Sequence, residues 1–162
     1  MARATDWTIA TPRHRRCVRY CRTVFWNLPS ELMAEPVGIV LVSHSDSLAT
    51  GLRDMLLQIG AANLPVATAG GTDDGRLGTS YHRIGAAIAS VDKGSGVAVL
   101  TDLGSAVLTA RAVLDDLART DVILVDSPFV EGAVAAAVIA ATGADLATVR
   151  SAAEEARDVH KL

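Results

Sequence analysis

The stretch Val37–Leu52, VGIVLVSHSDSLATGL, decides the fold. Its first half, Gly38–Ser43, is a short apolar run rich in Val and Ile, with no polar alternation. Such a run reads as a strand buried on both faces. Its second half places Leu48 and Leu52 four residues apart. Met55, Leu56 and Ile59 continue the spacing as one apolar face of a helix over Ser47–Ile59, with Gly60 as its stop. Between strand and helix lies SHSDS, a histidine set between small hydroxyl residues. A buried strand that passes straight into a helix is the opening of a βαβ unit.

The alternation repeats downstream. Val66–Ala69 reads as a second strand, and GGTDDGRLGTS, Gly70–Ser80, as a glycine-rich loop with acidic residues. Tyr81, Ile84, Ala87, Ile88 and Val91 predict a helix over Ser80–Val91. Gly96–Thr101 is a third strand, Ser105–Leu117 a helix, and Asp121–Asp126 a fourth strand. An alanine-rich helix, Gly132–Thr142, closes at Gly143, and one more helix is expected over Leu146–Val159. The fold class is therefore α/β, a mostly parallel sheet flanked by helices and joined by right-handed crossovers.

Composition narrows the possibilities. A chain of 162 residues suffices for one domain with a real core. Half of the residues are hydrophobic but only 4% are aromatic, so the core must be Ala, Val, Leu and Ile. A net charge of −3 argues against a nucleic-acid binder. The longest apolar run, Ala133–Ala141, is too short to cross a membrane, and the first residues lack the apolar stretch of a secretory signal. The expected location is the cytoplasm. The average charge hides an asymmetry. Residues 1–32 carry Arg3, Arg13, Arg15, Arg16, Arg19 and Arg22 against Asp6 and Glu31, together with both cysteines and both tryptophans. Residues 1–35 are read as a disordered extension or the product of a misplaced start, and residues 36–162 as the domain. Cys17 and Cys21, with His14 nearby, lack a second ligand pair at metal-binding spacing, so no metal site is expected.

In parallel α/β sheets, sites form where strands end. That rule gathers Ser43, His44 and Ser45 after the first strand, Gly70–Asp74 after the second, and Asp102–Ser105 after the third. A neutral imidazole is a nucleophile at physiological pH when its other nitrogen holds the proton. Asp102 would fix that tautomer if the first and third strands are neighbours, as a buried acid does in a catalytic triad. Asp102 could equally cap the helix that follows it. The N–H groups opening the helix after His44 would meet an anion carried on the ring. Ser43, Ser45, Thr72 and Ser105 could add hydroxyl contacts, and Gly71 and Gly104 would let backbone approach a phosphate. Gly70–Gly71 is not a P-loop, because no Gly-Lys-Ser/Thr follows. Ser43 and Ser105 do not sit in a Gly-x-Ser-x-Gly elbow. Asp73–Asp74 reads as a turn, His82 and His160 as surface, and Glu131 as a helix-start acid or a partner for a cation.

Taken in order, VGIVLVSHSDSLATGL, AGGTDDGRLGTS, VAVLTDLGSAVLTA, DSPFVEGAVAAAV and TGADL resemble the DhaM family, from about Val37 to about Leu146. This is the phosphotransferase subunit family of phosphoenolpyruvate-dependent dihydroxyacetone kinase, whose core is similar to the mannose-type EIIA domain of the bacterial sugar phosphotransferase system. The resemblance implies a phosphohistidine relay. HPr, charged from phosphoenolpyruvate by enzyme I, would donate its phosphoryl group to the histidine that matches His44. Asp102 matches the supporting aspartate. The group would pass to ADP held on the partner DhaL, which with DhaK phosphorylates dihydroxyacetone. The subunit itself would hold no cofactor and would form a homodimer. A mannose-type sugar transport component, or a regulatory domain that no longer transfers, would share the fold.

Overall fold

Six consecutive buried residues, Gly38–Ser43, form β1. It lies in the middle of the sheet because every side chain on it needs cover. The structure, a computed structural model, describes residues 35–60 and 62–162. Apart from Glu35, the expectations for residues 1–35, including Cys17, Cys21 and His14, lie outside the described residues.

After β1 come α1 (Asp46–Ile59), β2 (Val66–Gly70), α2 (Tyr81–Val91), β3 (Val97–Thr101), α3 (Gly104–Leu117), β4 (Val122–Leu124), α4 (Phe129–Ala140) and α5 (Leu146–Glu155). A 3-10 turn, Ala156–Asp158, follows α5. The four strands are all parallel and run in the order β2-β1-β3-β4. Alternate residues of β1 serve opposite faces. Ile39 and Leu41 join Leu52 and Leu56 of α1, the alanines of α4 and Val149 of α5. Val40 and Val42 join Ile84 and Ile88 of α2 and Ala110 and Val113 of α3. Alanine-rich helix faces let α3 and α4 pack tightly on the sheet, as the low aromatic content requires.

Several boundaries differ from the sequence reading; α5, expected to reach Val159, ends at Glu155 and passes into the 3-10 turn. β4 covers only Val122–Leu124, because it is the edge strand and one of its sides is unpaired. Its ladder still extends through the bond from the Val125 N–H to the Val99 carbonyl, 2.9 Å. α4 begins at Phe129, three residues before the expected Gly132. Pro128 stands at the N-cap with φ −57°, already set for a helix, and Phe129 packs against the core.

Candidate active site

The crossovers from β1 to β2 and from β3 to β4 leave the sheet in opposite directions, so the order reverses between β1 and β3. Val42 is in register with Thr101. The next residues along, Ser43 and His44 on one strand end and Asp102 on the other, therefore meet at this switch point.

Asp102 is the hub. Its Oδ1 accepts from the His44 ring at Nδ1, 2.9 Å, and from the Leu103 N–H, 2.7 Å. Its Oδ2 accepts from the His44 backbone N–H, 2.8 Å, and from the Ser43 hydroxyl, 2.9 Å. Burial by itself would raise this carboxyl. The His44 backbone N–H, the imidazole, the Ser43 hydroxyl and the Leu103 N–H together hold it below the usual carboxylate value. Asp102 is thus ionised at neutral pH and can only accept. Nδ1 of His44 must carry the proton, which leaves the lone pair on Nε2. The Asp102 side chain is 9% exposed and that of His44 24%, so the acid is sheltered while the ring reaches the surface. Nε2 is met by the Ser105 hydroxyl at 2.8 Å.

The other candidates have different duties. Ser43 is fully buried, and its Oγ, besides donating to Asp102, accepts from the Ser45 N–H at 3.0 Å. It braces the carboxylate from within. Ser45 caps α1 by accepting from the Leu48 N–H at 3.3 Å. Thr72 is tied into its own loop through Asp74 and Arg76. Gly71 adopts φ +72°, which favours glycine, and its N–H donates to the Ser43 carbonyl at 3.1 Å. Gly104 opens α3, and a Cβ there would meet only open space. Asp73 accepts from Ser80, and Glu131 pairs with Lys161. His82 and His160 are exposed.

The first turn of α1 is capped by Ser45, which accepts from the Leu48 N–H. Ser105, in the first turn of α3, reaches Nε2 through its hydroxyl; the N-cap of that helix, Leu103, supplies no side-chain cap, and its carbonyl accepts from the Ala106 N–H at 2.9 Å. Asp102 does not cap α3 in the usual way either, because it bonds only the N–H of Leu103, ahead of the helix. The signal was present in the sequence: Leu103 is a poor cap, and the one good capping residue before it is committed to the histidine.

The site lies at the carboxyl ends of β1 and β3, with the His44 ring partly exposed. A cavity of about 740 Å3 lies elsewhere, against α4, α5 and the chain end, lined by Val134, Val138 and Val159 among others. Among the described residues no group of three or more His, Cys, Asp or Glu is placed to hold a metal ion, and no helix is long and apolar enough to cross a membrane.

Residues 38–150 match the EIIA-man family model, described as the PTS system fructose IIA component. A Listeria innocua protein, "PEP-dependent dihydroxyacetone kinase 1, phosphoryl donor subunit DhaM", is 39% identical over 105 residues, 65% of this chain and 82% of its own length. The Escherichia coli K12 phosphoryl donor subunit DhaM is 39% identical over 116 residues, 68% of this chain but 25% of that longer protein. The crystal structure of EF1359, a protein of unknown function, superposes with a TM-score of 0.67 at 34% identity, covering 74% of this chain and 94% of that one. The chain belongs to the EIIA-man family and is a relative of the DhaM phosphoryl donor subunits.

Proposed function

We propose that the chain is the phosphoryl-carrier subunit of a phosphoenolpyruvate-dependent dihydroxyacetone kinase. One observation carries the reading: Asp102 holds Nδ1 of His44 at 2.9 Å and so leaves the Nε2 lone pair at the rim. Nε2 attacks the phosphorus of phospho-HPr, and the new P–N bond forms as the donor's P–N bond breaks on the far side. The Ser105 hydroxyl rotates off Nε2 to admit the phosphorus, then donates to a phosphoryl oxygen at the first turn of α3. The ring gains positive charge on attack, and the Asp102 carboxylate offsets it. In the second half the P–Nε2 bond breaks as an ADP oxygen on DhaL takes the group, and DhaL with DhaK passes it to dihydroxyacetone. ADP stays on DhaL, and the carrier itself needs no metal or cofactor. The relay runs in the cytoplasm.

The partial exposure of the His44 ring supports this reading, because in-line transfer between two proteins needs a ring that reaches the surface. We also propose a homodimer. After Glu131, α4 has no charged residue, and its outer face keeps Val130 and Val138 exposed. A helix apolar all round calls for cover.

The test is a relay assay with enzyme I, HPr and phosphoenolpyruvate, the acid-labile phosphate being located by peptide mapping. Label on His44, discharged by DhaL–ADP, is expected, and His44→Ala should take none. Label that DhaL–ADP cannot discharge would point to a sugar-transport acceptor. Full labelling of His44→Ala would overturn the assignment.

A further inference from the structure

We propose that Thr79 and Thr109 form a latch that holds the Ser105 hydroxyl in place at Nε2 of His44, which makes both threonines positioning residues for phosphoryl transfer; the inference rests on the reading of His44 as acceptor. The two Oγ1 atoms lie 2.8 Å apart in a part-buried contact, and either hydroxyl can donate. Thr79 belongs to the loop between β2 and α2. Gly78, the residue before it, donates its N–H to the His44 carbonyl at 3.0 Å. Thr109 stands four residues after Ser105, on the same face of α3. The Ser105 hydroxyl meets Nε2 at 2.8 Å. The contacts close into a ring. It runs from the His44 backbone to Gly78, from Thr79 to Thr109, and from Ser105 back to the His44 imidazole. Among the described residues, the threonine pair is the side-chain hydrogen bond that joins this loop to α3.

The start of α3 needs such an anchor. Its N-cap, Leu103, supplies no side-chain cap, and its first residue is Gly104, a type with unusual backbone freedom. Ser105 therefore rides on the least secured turn of the helix. Ala106 and Ala110 bury their methyl groups completely against the sheet. That burial is non-directional, so it sets the depth of the helix better than its rotation. A hydrogen bond one turn further along fixes the rotation, and with it the place of the Ser105 hydroxyl. Threonine is a poorer helix former than alanine, so position 109 gives up some propensity for its hydroxyl. Its bond back to the Ser105 carbonyl, at 3.5 Å, is too long to account for that choice. During transfer Ser105 must turn off Nε2 and then meet a phosphoryl oxygen. A latched backbone lets the hydroxyl rotate while its Cα stays put.

The experiment measures the second-order rate of labelling on the full chain by HPr charged with enzyme I and phosphoenolpyruvate. Its variants are Thr79→Val, Thr109→Val, Thr109→Ser, Ser105→Ala, and Thr109→Val combined with Ser105→Ala. Valine keeps the branched shape without the hydroxyl, and serine keeps the hydroxyl. Each valine variant should lose about three- to tenfold in rate, as expected for coupled neighbours. Thr109→Ser should label at the wild-type rate. With Ser105 already replaced by alanine, Thr109→Val should cost nothing further, because the latch acts through Ser105 alone. Losses that multiply in the double variant would overturn the latch, since the threonine would then act on the fold at large. Wild-type rates in both valine variants would overturn it too, as would a Thr109→Ser loss equal to that of Thr109→Val. Wild-type protein that takes no label on His44, from charged HPr or from the small donor phosphoramidate, would sink the reading of His44 and the latch with it.

Discussion

Exchanging Asp102 for Asn removes one charge and hardly changes shape, yet no orientation of the amide satisfies the site. The carboxylate accepts at both oxygens: Oδ1 from the imidazole and the Leu103 N–H, Oδ2 from the His44 N–H and the Ser43 hydroxyl. If the amide oxygen takes the Oδ1 place, its NH2 faces the backbone N–H of His44. If it takes the Oδ2 place, its NH2 faces both the Leu103 N–H and Nδ1 of the ring. In that second state the ring must accept at Nδ1 and carry its proton on Nε2, which abolishes the nucleophile. Either way a backbone donor is left without an acceptor, a loss of about 1–3 kcal/mol. That is small beside a typical stability of about 5–15 kcal/mol, so the variant should fold. The kinetic effect should be larger. In a Ser-His-Asp triad the same exchange lowers turnover about 10⁴-fold through the wrong tautomer. With half the amide orientations still productive here, a loss of about 10²- to 10⁴-fold is expected, or roughly 3–5 kcal/mol at about 1.4 kcal/mol per decade. Single-turnover labelling by phospho-HPr reads the rate, and urea unfolding reads the fold. A folded variant that accepts phosphate within about threefold of the wild-type rate would refute the argument and reduce Asp102 to a structural acid.

Gly70→Ala should damage fold and transfer together. A Cβ there would lie 2.5 Å from Cα of Asp46 and 2.9 Å from the Ser45 carbonyl, so α1 would have to retreat from the end of β2. A loss of about 1–3 kcal/mol and a Tm lower by several degrees are expected. Gly85→Ala on α2, where a Cβ meets nothing, serves as the control and should be neutral or mildly stabilising. Acid should also distinguish Asp102. Burial opposes its ionisation, but its hydrogen bonds win and hold its pKa below the unfolded value. Its contribution to stability is complete above the unfolded pKa and is lost as pH falls through the folded one. Urea midpoints taken from about pH 5 down to about pH 2 should fall more steeply for wild type than for Asp102→Asn, and parallel curves would contradict the linkage. Val138→Glu puts a charge on the exposed face of α4 and should yield a monomer by light scattering that still accepts phosphate. An unchanged mass would show that this face does not join two copies.

The architecture was legible because its elements have clean periods. Gly38–Ser43 could only be a central strand, and the apolar faces of α1, α2 and α3 recur at helical spacing. From there, strand order placed Asp102 beside His44, since an acid ending β3 must meet the residue that follows β1 if the two strands pair. The direction of the ring was harder. Whether Nε2 looks toward α1 or α3 depends on side-chain rotation and on which helix start is already capped, neither of which shows in apolar spacing. The start of α4 was missed for a related reason. Pro128 and Phe129 look like loop residues until the fixed φ of proline and the core contact of the ring are considered together.

The imidazole and its carboxylate are separated by 58 residues of chain, and β1 and β3 must pair before they touch. A nascent chain emerging from the ribosome therefore presents His44 long before its tautomer is set. Until β3 has followed it out and docked, the histidine lacks its carboxylate partner, and on the proposed function phosphoryl acceptance would mark a chain in which β1 and β3 have paired. Long-range parallel pairing is slow to form, so labelling during refolding should lag behind helix formation and report the arrival of the third strand.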